Sequence, residues 1–273
     1  MGRLSGSVTF ITGASAGIGA AVAREAARQG SDVVLTARRQ ERLQTLAAEI
    51  ESMGQRALIA RCDVTRDGDL ETAVAKAQQA FGHIDTVIAN AGFGVVAPFE
   101  SLTMEDYRRQ FETNVFGVLR TVMATREQLI AARGCLAIVG SVNGYVSTPG
   151  SSPYSMSKAA VHALAFTLWH ELRPHGVGVT LVAPGFVKSE IRQVDNRGVH
   201  HPHARDHIPS WLSGSTEKTA RQILLALRKR RRVEVITGHA RVAVFFQRHF
   251  PWLPSPLLYL FSMLRRANRA RRA

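Results

Sequence analysis

Short apolar runs rich in β-branched residues alternate along this chain with longer stretches whose apolar residues recur every three or four positions. The runs at 8–11, 33–36, 57–60, 86–89, 136–140, 177–183 and 233–237 read as strands. The stretches at 18–29, 41–53, 67–81, 107–133, 153–173 and 216–230 read as helices. In the second of these, Leu43, Leu46, Ala47 and Ile50 share one helical face. Gly30 and Gly54 stand where a helix stop belongs, and Pro153 stands where a start does. The run 86–89 is almost wholly apolar, as a strand covered on both faces should be. Strand–helix alternation throughout predicts an α/β chain with a parallel sheet between two helical layers. Residues 186–214 break the pattern with Pro, Gly, Ser and His, and read as a long loop or lid.

Composition sharpens this picture in three ways. With 45% hydrophobic residues among 273, the chain has ample material for one core, which excludes wholesale disorder. Neither an internal repeat nor a linker appears, so one domain is expected over 1–238, followed by a basic, aromatic extension over 239–273. Two cysteines, Cys62 and Cys135, are too few for a disulfide framework and read as inert core thiols. The first strand begins so early that a signal peptide is not expected, and no apolar run reaches the length of a membrane span. The cytoplasm, with membrane association left open, is the expected location.

The formal net charge of +14 is concentrated at one end. Residues 215–273 hold fourteen Lys and Arg against Glu217 and Glu234, a balance of +12. The rest of the chain is nearly neutral. Such asymmetry points to a surface that meets anions.

Candidate chemistry begins at Thr12-Gly-Ala-Ser-Ala-Gly-Ile-Gly19, between the first strand and first helix. Gly13 permits a sharp turn, while Gly17 and Gly19 allow close backbone approach around Ser15 and Ile18. The free N–H groups of a helix N-terminus then face an anion such as a dinucleotide pyrophosphate. The expected architecture is therefore a Rossmann-like, doubly wound sheet. After the second strand comes Thr36-Ala-Arg-Arg39, with no acid for a ribose diol. Arg38 and Arg39 instead suit an adenosine 2′-phosphate, which points to NADP(H) over NAD(H).

Tyr154-Ser-Met-Ser-Lys158 places a phenol and an ammonium one turn apart on a helix face. That cation favours the phenolate and lowers the tyrosine pKa, so the phenol can exchange a proton with a carbonyl or hydroxyl. Ser141 lies just past a strand's carboxyl end, the edge where parallel sheets bind ligands. Together with Asn90-Ala-Gly92, Asn114 and Pro184-Gly185 in this order, these motifs resemble the short-chain dehydrogenase/reductase family over roughly residues 6–190.

The resemblance implies a carbonyl reductase or alcohol dehydrogenase, forming homodimers or homotetramers. Tyr154 would be the general acid/base, and Lys158 would hold the nicotinamide ribose and tune Tyr154. Ser141 would polarise the substrate oxygen, and Asn114 would hold a water that relays protons. Asp63 and Val64 would contact adenine, and Asn90, Ala91 and Gly92 would border the cofactor. Pro184, Gly185 and Val187 would cover the nicotinamide, with Ser189 reaching its carboxamide or a phosphate. The family often has a second Asn where this chain has Ala89, and some NADP-preferring members carry a basic residue where this chain has Ala16. A rival reading keeps cofactor binding but makes the protein a redox sensor or membrane recruiter whose catalysis is incidental.

Two clusters remain. His200, His201, His203 and His207 read as an exposed loop, and no metal is expected there. The uncharged stretch 250–264 carries Trp252, Leu257, Tyr259 and Phe261 between arginines, and is too short and proline-broken to span a bilayer. It suits either packing on the lid or a second subunit, or lying at a membrane surface. An apolar substrate is consistent with the membrane choice, and nucleic acid is not expected. Leu168 and Trp169 read as packing at a subunit contact.

Overall fold

The computed structural model describes residues 4–199, 201 and 212–253. Their seven strands form one parallel sheet: β1 (Val8–Thr12), β2 (Asp32–Ala37), β3 (Ala57–Arg61), β4 (Thr86–Ala89), β5 (Cys135–Val139), β6 (Gly178–Pro184) and β7 (Val233–Ile236). Their spatial order is β3-β2-β1-β4-β5-β6-β7. Every residue of β1 and β6 is buried, which explains why they carry no charged residue and alternate no polar face.

Helices cover both faces. One layer holds α1 (Gly17–Arg28), α2 (Gln40–Glu51) and α7 (Thr216–Arg228), packed over Ile11, Leu35 and Ile88. The other holds α3 (Asp69–Phe81), α5 (Gly117–Ala132) and α6 (Ser152–Leu172), packed over Phe10, Leu136 and Ile138. The expected Rossmann-like, doubly wound α/β fold is what the chain adopts. The strand order reverses between β1 and β4, and a crevice opens there at the carboxyl edge of the sheet.

Two departures from the sequence pattern matter for that crevice. The helix expected over 107–133 starts earlier and is interrupted. Thr103 and Asp106 form a capping box that starts α4 (Met104–Phe111), and a π-helical turn, Glu112–Phe116, separates it from α5. The second departure is α8 (Gly238–His249), which the periodicity did not predict. It begins directly after β7 at Thr237, whose φ is +82°.

The lid is anchored at both ends. Gly214 N–H donates to Phe186 O at 2.8 Å, and Lys188 N–H donates to Gly214 O at 2.9 Å. It carries a short 3-10 turn, Glu190–Gln193. Asn196 reaches across the crevice and accepts from Val96 N–H at 3.0 Å. His201 pairs with Asp195 at 2.9 Å, while His200, His203, His207 and the segment 254–273 lie outside the described residues. No helix among the described residues is long and apolar enough to cross a membrane.

Candidate active site

The turn after β1 is built for close approach. Gly13 has φ +67°, and a Cβ there would lie 2.9 Å from Ala91 Cα. A Cβ on Gly19 would sit 2.4 Å from Gly13 O. The Asn90 side-chain amide braces this turn from β4, donating to Thr12 O at 2.9 Å and Gly13 O at 3.3 Å. Ala16 caps α1 without a side-chain hydrogen bond, and the first turn holds no acid. The leading N–H groups and the positive end of the helix dipole are thus left for an anion. This cradle fits a dinucleotide pyrophosphate.

The crevice has a volume of about 2010 Å³, more than one small ligand fills, and so has room for a cofactor and a substrate together. Gly13, Ser15, Gly17, Ile18, Arg38, Arg39, Asp63, Val64, Asn90, Ala91 and Gly92 line one arm of it. Ser141, Tyr154, Lys158, Pro184, Gly185 and Val187 line the other, while Ser189 lies on the glycine-turn side. Gly19 and Asn114 are the two residues of the expected set that stand behind its wall.

At the base of that second arm Lys158 is 4% exposed, and its Nζ donates to Val139 O at 2.9 Å. Burial pushes its pKa down to about 8. Its Nζ lies 5.8 Å from the centre of the Tyr154 ring, one helical turn earlier on α6. Gly94 passes over that ring so closely that a Cβ would touch Cδ2 at 3.6 Å. Ser141 follows β5, and its hydroxyl accepts from Asn143 N–H at 3.1 Å.

Asn114 sits in the π-helical turn and is fully buried. Its amide donates to Phe93 O at 2.9 Å and accepts from Phe93 N–H at 3.1 Å. Gln110, one turn earlier and also fully buried, shares that carbonyl and reaches two residues further. It donates to Phe93 O at 2.9 Å and accepts from Val95 N–H at 2.6 Å. Two amides thus clamp segment 93–95 beside Tyr154. The sequence reading missed Gln110, although its four-residue spacing from Asn114 is the signal that would have found it.

His162 is a second residue the sequence reading missed. It lies four residues beyond Lys158 and eight beyond Tyr154, on the same face of α6. Its Nε2 accepts from Ser141 N–H at 3.4 Å, and its ring packs on Tyr145 with centroids 4.5 Å apart. Gly140 and Gly144 make the room, since a Cβ on either would meet the imidazole at about 2.5 Å or less. Burial, reinforced by the Lys158 charge, pushes its pKa down to about 4, so the ring is neutral at pH 7 and able to accept.

The new helix α8 shapes the end of the crevice at Gly185 and Phe186. His239 Nε2 accepts from Phe186 N–H at 3.1 Å, and a Cβ on Gly185 would lie 2.5 Å from that nitrogen. Ala240 and Ala243 add to the wall. At the opposite end Arg38 is exposed, with no hydrogen bond or ion pair among the described residues. Arg39 donates to Ser15 Oγ at 3.1–3.2 Å and pairs with Glu190 of the lid.

Cys135 lies away from the crevice, whereas Cys62 lines it beside Asp63. Cys62 follows β3, and burial, followed by the nearby acids Asp69 and Asp63, pushes its thiol up to about 12. Cys135 opens β5, and its thiol is raised by burial. Trp169 is held by guanidiniums, with Arg173 at 4.7 Å and Arg232 at 4.9 Å from its ring.

A crevice at the strand-order switch, a glycine cradle on a helix N-terminus and a buried lysine beside a phenol define a dinucleotide-dependent oxidoreductase. The family described as short chain dehydrogenase matches residues 7–199. The chain belongs to the short-chain dehydrogenase/reductase family. It is similar to 11-beta-hydroxysteroid dehydrogenase A of Sesamum indicum, 34% identical over 192 residues, which are 70% of this chain and 55% of that protein. Its fold is similar to an alcohol dehydrogenase from the archaeon Thermococcus sibiricus, solved with 5-hydroxy-NADP. That pair has a TM-score of 0.74 and 30% identity, covering 84% of this chain and 94% of the other. A short chain dehydrogenase/reductase from Burkholderia phymatum, solved with NAD, gives a TM-score of 0.82 and 25% identity, covering 93% and 97%. The chain is an enzyme that interconverts CH–OH and C=O groups with a nicotinamide cofactor.

Proposed function

We propose that this enzyme is an NADP(H)-dependent carbonyl reductase acting on a hydrophobic ketone or aldehyde. The observation that carries the cofactor choice is the carboxyl end of β2, where Arg38 and Arg39 stand at the crevice and no acid is present to receive a ribose diol. When bound, the cofactor supplies the redox chemistry at its nicotinamide ring.

The chain's own residues do the rest. Tyr154 gives its proton to the substrate oxygen in reduction and takes it in oxidation. Lys158 holds positive charge beside the phenol, which favours the phenolate, and offers N–H donors to the cofactor ribose. Ser141 donates to the substrate oxygen and orients the carbonyl. Asn114 fixes the wall behind Lys158 and keeps a proton path open to solvent. Gly13, Ser15, Gly17, Ile18 and Gly19 bind the pyrophosphate, Asp63 and Val64 the adenine, and Asn90, Ala91 and Gly92 border the cofactor. Pro184, Gly185, Val187 and Ser189 close over the nicotinamide. Phe93, Val96, Phe99, Val142, Phe186 and Ile191 line the crevice and support an apolar substrate.

Titrating NADPH and NADH against a panel of apolar ketones tests this reading. NADPH is expected to bind at least about tenfold tighter, equivalent to about 1.4 kcal/mol. Arg38→Ala is expected to remove most of that margin, and equal affinity in the wild type would overturn the cofactor choice.

The exposed face of α8 bears on partners. Val242, Phe245 and Phe246 of α8, and Phe250 and Trp252 just beyond it, are all exposed, with Arg241 and Arg248 on the helix. This supports peripheral contact of residues 241–273 with an anionic lipid surface. The same aromatic patch set against itself in a symmetric dimer would juxtapose its own arginines. Flotation on vesicles containing phosphatidylserine is expected to recover the full chain and to lose it on truncation after residue 240. Equal recovery of both would overturn the contact.

A further inference from the structure

The basic cup at the end of β2 holds a carboxylate from the lid, about 150 residues further along the chain. Arg39 uses Nε and Nη2 on Ser15 Oγ of the glycine turn, and its Nη1 donates to Glu190 Oε2 at 3.0 Å. Arg42, from the first turn of α2, donates to Glu190 Oε1 at 2.5 Å and Oε2 at 2.6 Å. Glu190 opens the 3-10 turn of the lid. The preceding residue, Ser189, rests on the glycine turn, where a Cβ on Gly17 would come within 3.1 Å of Ser189 Cβ. The lid thus crosses the cofactor arm of the crevice and plants its carboxylate between two guanidiniums. Burial alone would raise the Glu190 carboxyl. The hydrogen bonds from Arg42 and Arg39 outweigh it and hold the group below the usual carboxylate range.

A guanidinium fork accepts a carboxylate or a phosphate in the same two-point geometry, so one anion excludes the other. Arg39 is one of the two residues on which the reading of NADP(H) preference rests, and it is engaged by Glu190. Arg38 beside it is open to solvent.

We propose that Glu190 is a specificity-determining residue: its carboxylate occupies the Arg39–Arg42 pair, and an adenosine 2′-phosphate must displace it to bind. The inference rests on the NADP(H) reading above. Lid release and phosphate recognition then become one exchange of anions. NADPH binds more weakly than the arginines alone would allow. NADH brings no competing phosphate, so its affinity does not depend on the clasp.

The test is equilibrium titration of the full-length protein with NADPH and with NADH, followed by protein fluorescence and without turnover. Partly exposed ion pairs are each worth up to about 1 kcal/mol, which corresponds to about fivefold in affinity. Glu190→Gln keeps the side-chain size and removes the charge. It is expected to tighten NADPH about fivefold and leave NADH unchanged, with a thermal midpoint lowered by no more than about 4 °C, as loss of the ion pairs alone requires, showing that the lid still folds. Unchanged NADPH affinity in the variant, with the wild type still preferring NADPH, would overturn the clasp alone. Weaker binding of both cofactors would show Glu190 to be a latch over the bound cofactor, and would also overturn it. A wild type that prefers NADH would remove the 2′-phosphate as competitor and so fail the cofactor reading itself.

Discussion

Tyr154→Phe is expected to lower kcat for ketone reduction about a thousandfold while leaving NADPH affinity unchanged, the scale of a lost general acid. The substitution removes one hydroxyl and keeps the ring. The ring is what fills the space beside Gly94, where a Cβ would meet it at 3.6 Å, so the crevice keeps its shape. Lys158 remains at the base of the site with its bond to Val139 O. Single-turnover kinetics separate this loss from any change in substrate binding. A variant within about tenfold of the wild type would show that the proton comes from elsewhere, since proton transfer alone is worth more than that.

Lys158→Met is expected to abolish turnover and at the same time to stabilise the fold at neutral pH. Lys158 is buried with no acid among its described partners, and its pKa falls from 10.5 to about 8. A lysine whose folded pKa lies below its unfolded value destabilises the fold while it is charged. The full penalty applies below pH 8, shrinks between pH 8 and 10.5, and is gone above. At 1.36 kcal/mol per pKa unit it is on the order of 3 kcal/mol. Losing the bond to Val139 O costs about 1 kcal/mol, leaving a gain of about 2 kcal/mol at pH 7. Thermal melts should therefore show the variant roughly 5 °C above the wild type at pH 7. That gap should narrow steadily towards pH 10. A variant less stable than the wild type at pH 7 would mean that the ammonium is well solvated in the native state. The enzyme carries this destabilised lysine because the chemistry at Tyr154 needs a cation.

The parts of the site that sequence revealed are local in the chain. The glycine turn, the Tyr154–Lys158 pair and the strand ends at Ser141 and Asn90 depend on spacings of eight residues or fewer, read against strands that are mostly apolar. Gln110 and His162 were equally local, at four-residue steps from Asn114 and Lys158. They went unnoticed because a buried polar residue on an apolar face looks like ordinary packing until its partner is known.

The helix α8 was missed for a different reason. Its buried residues are only Ala240 and Val244, while Val242, Phe245 and Phe246 are exposed. Its apolar periodicity therefore points away from the core, and the stretch reads as part of a tail. Its function in the fold lies in His239, whose ring nitrogen holds Phe186 N–H. The π-helical turn is also silent in sequence. One extra residue in a helix leaves composition and periodicity almost unchanged, and Asn114 within it still shares Phe93 O with Gln110.

By itself the sequence determined the fold class, the family and the chemical groups at the reacting end, because each follows from short-range spacing on elements that the hydrophobic pattern makes unavoidable. Tertiary structure alone decided which of those groups are engaged. The approach of Glu190 to Arg39 and Arg42 joins residues about 150 positions apart. The depression of Lys158 comes from burial among segments far apart in the chain, with Gly92 and Val139 O beside its ammonium. Charge state and ionic pairing are set by distance and desolvation in three dimensions, and neither is encoded at any single stretch of residues.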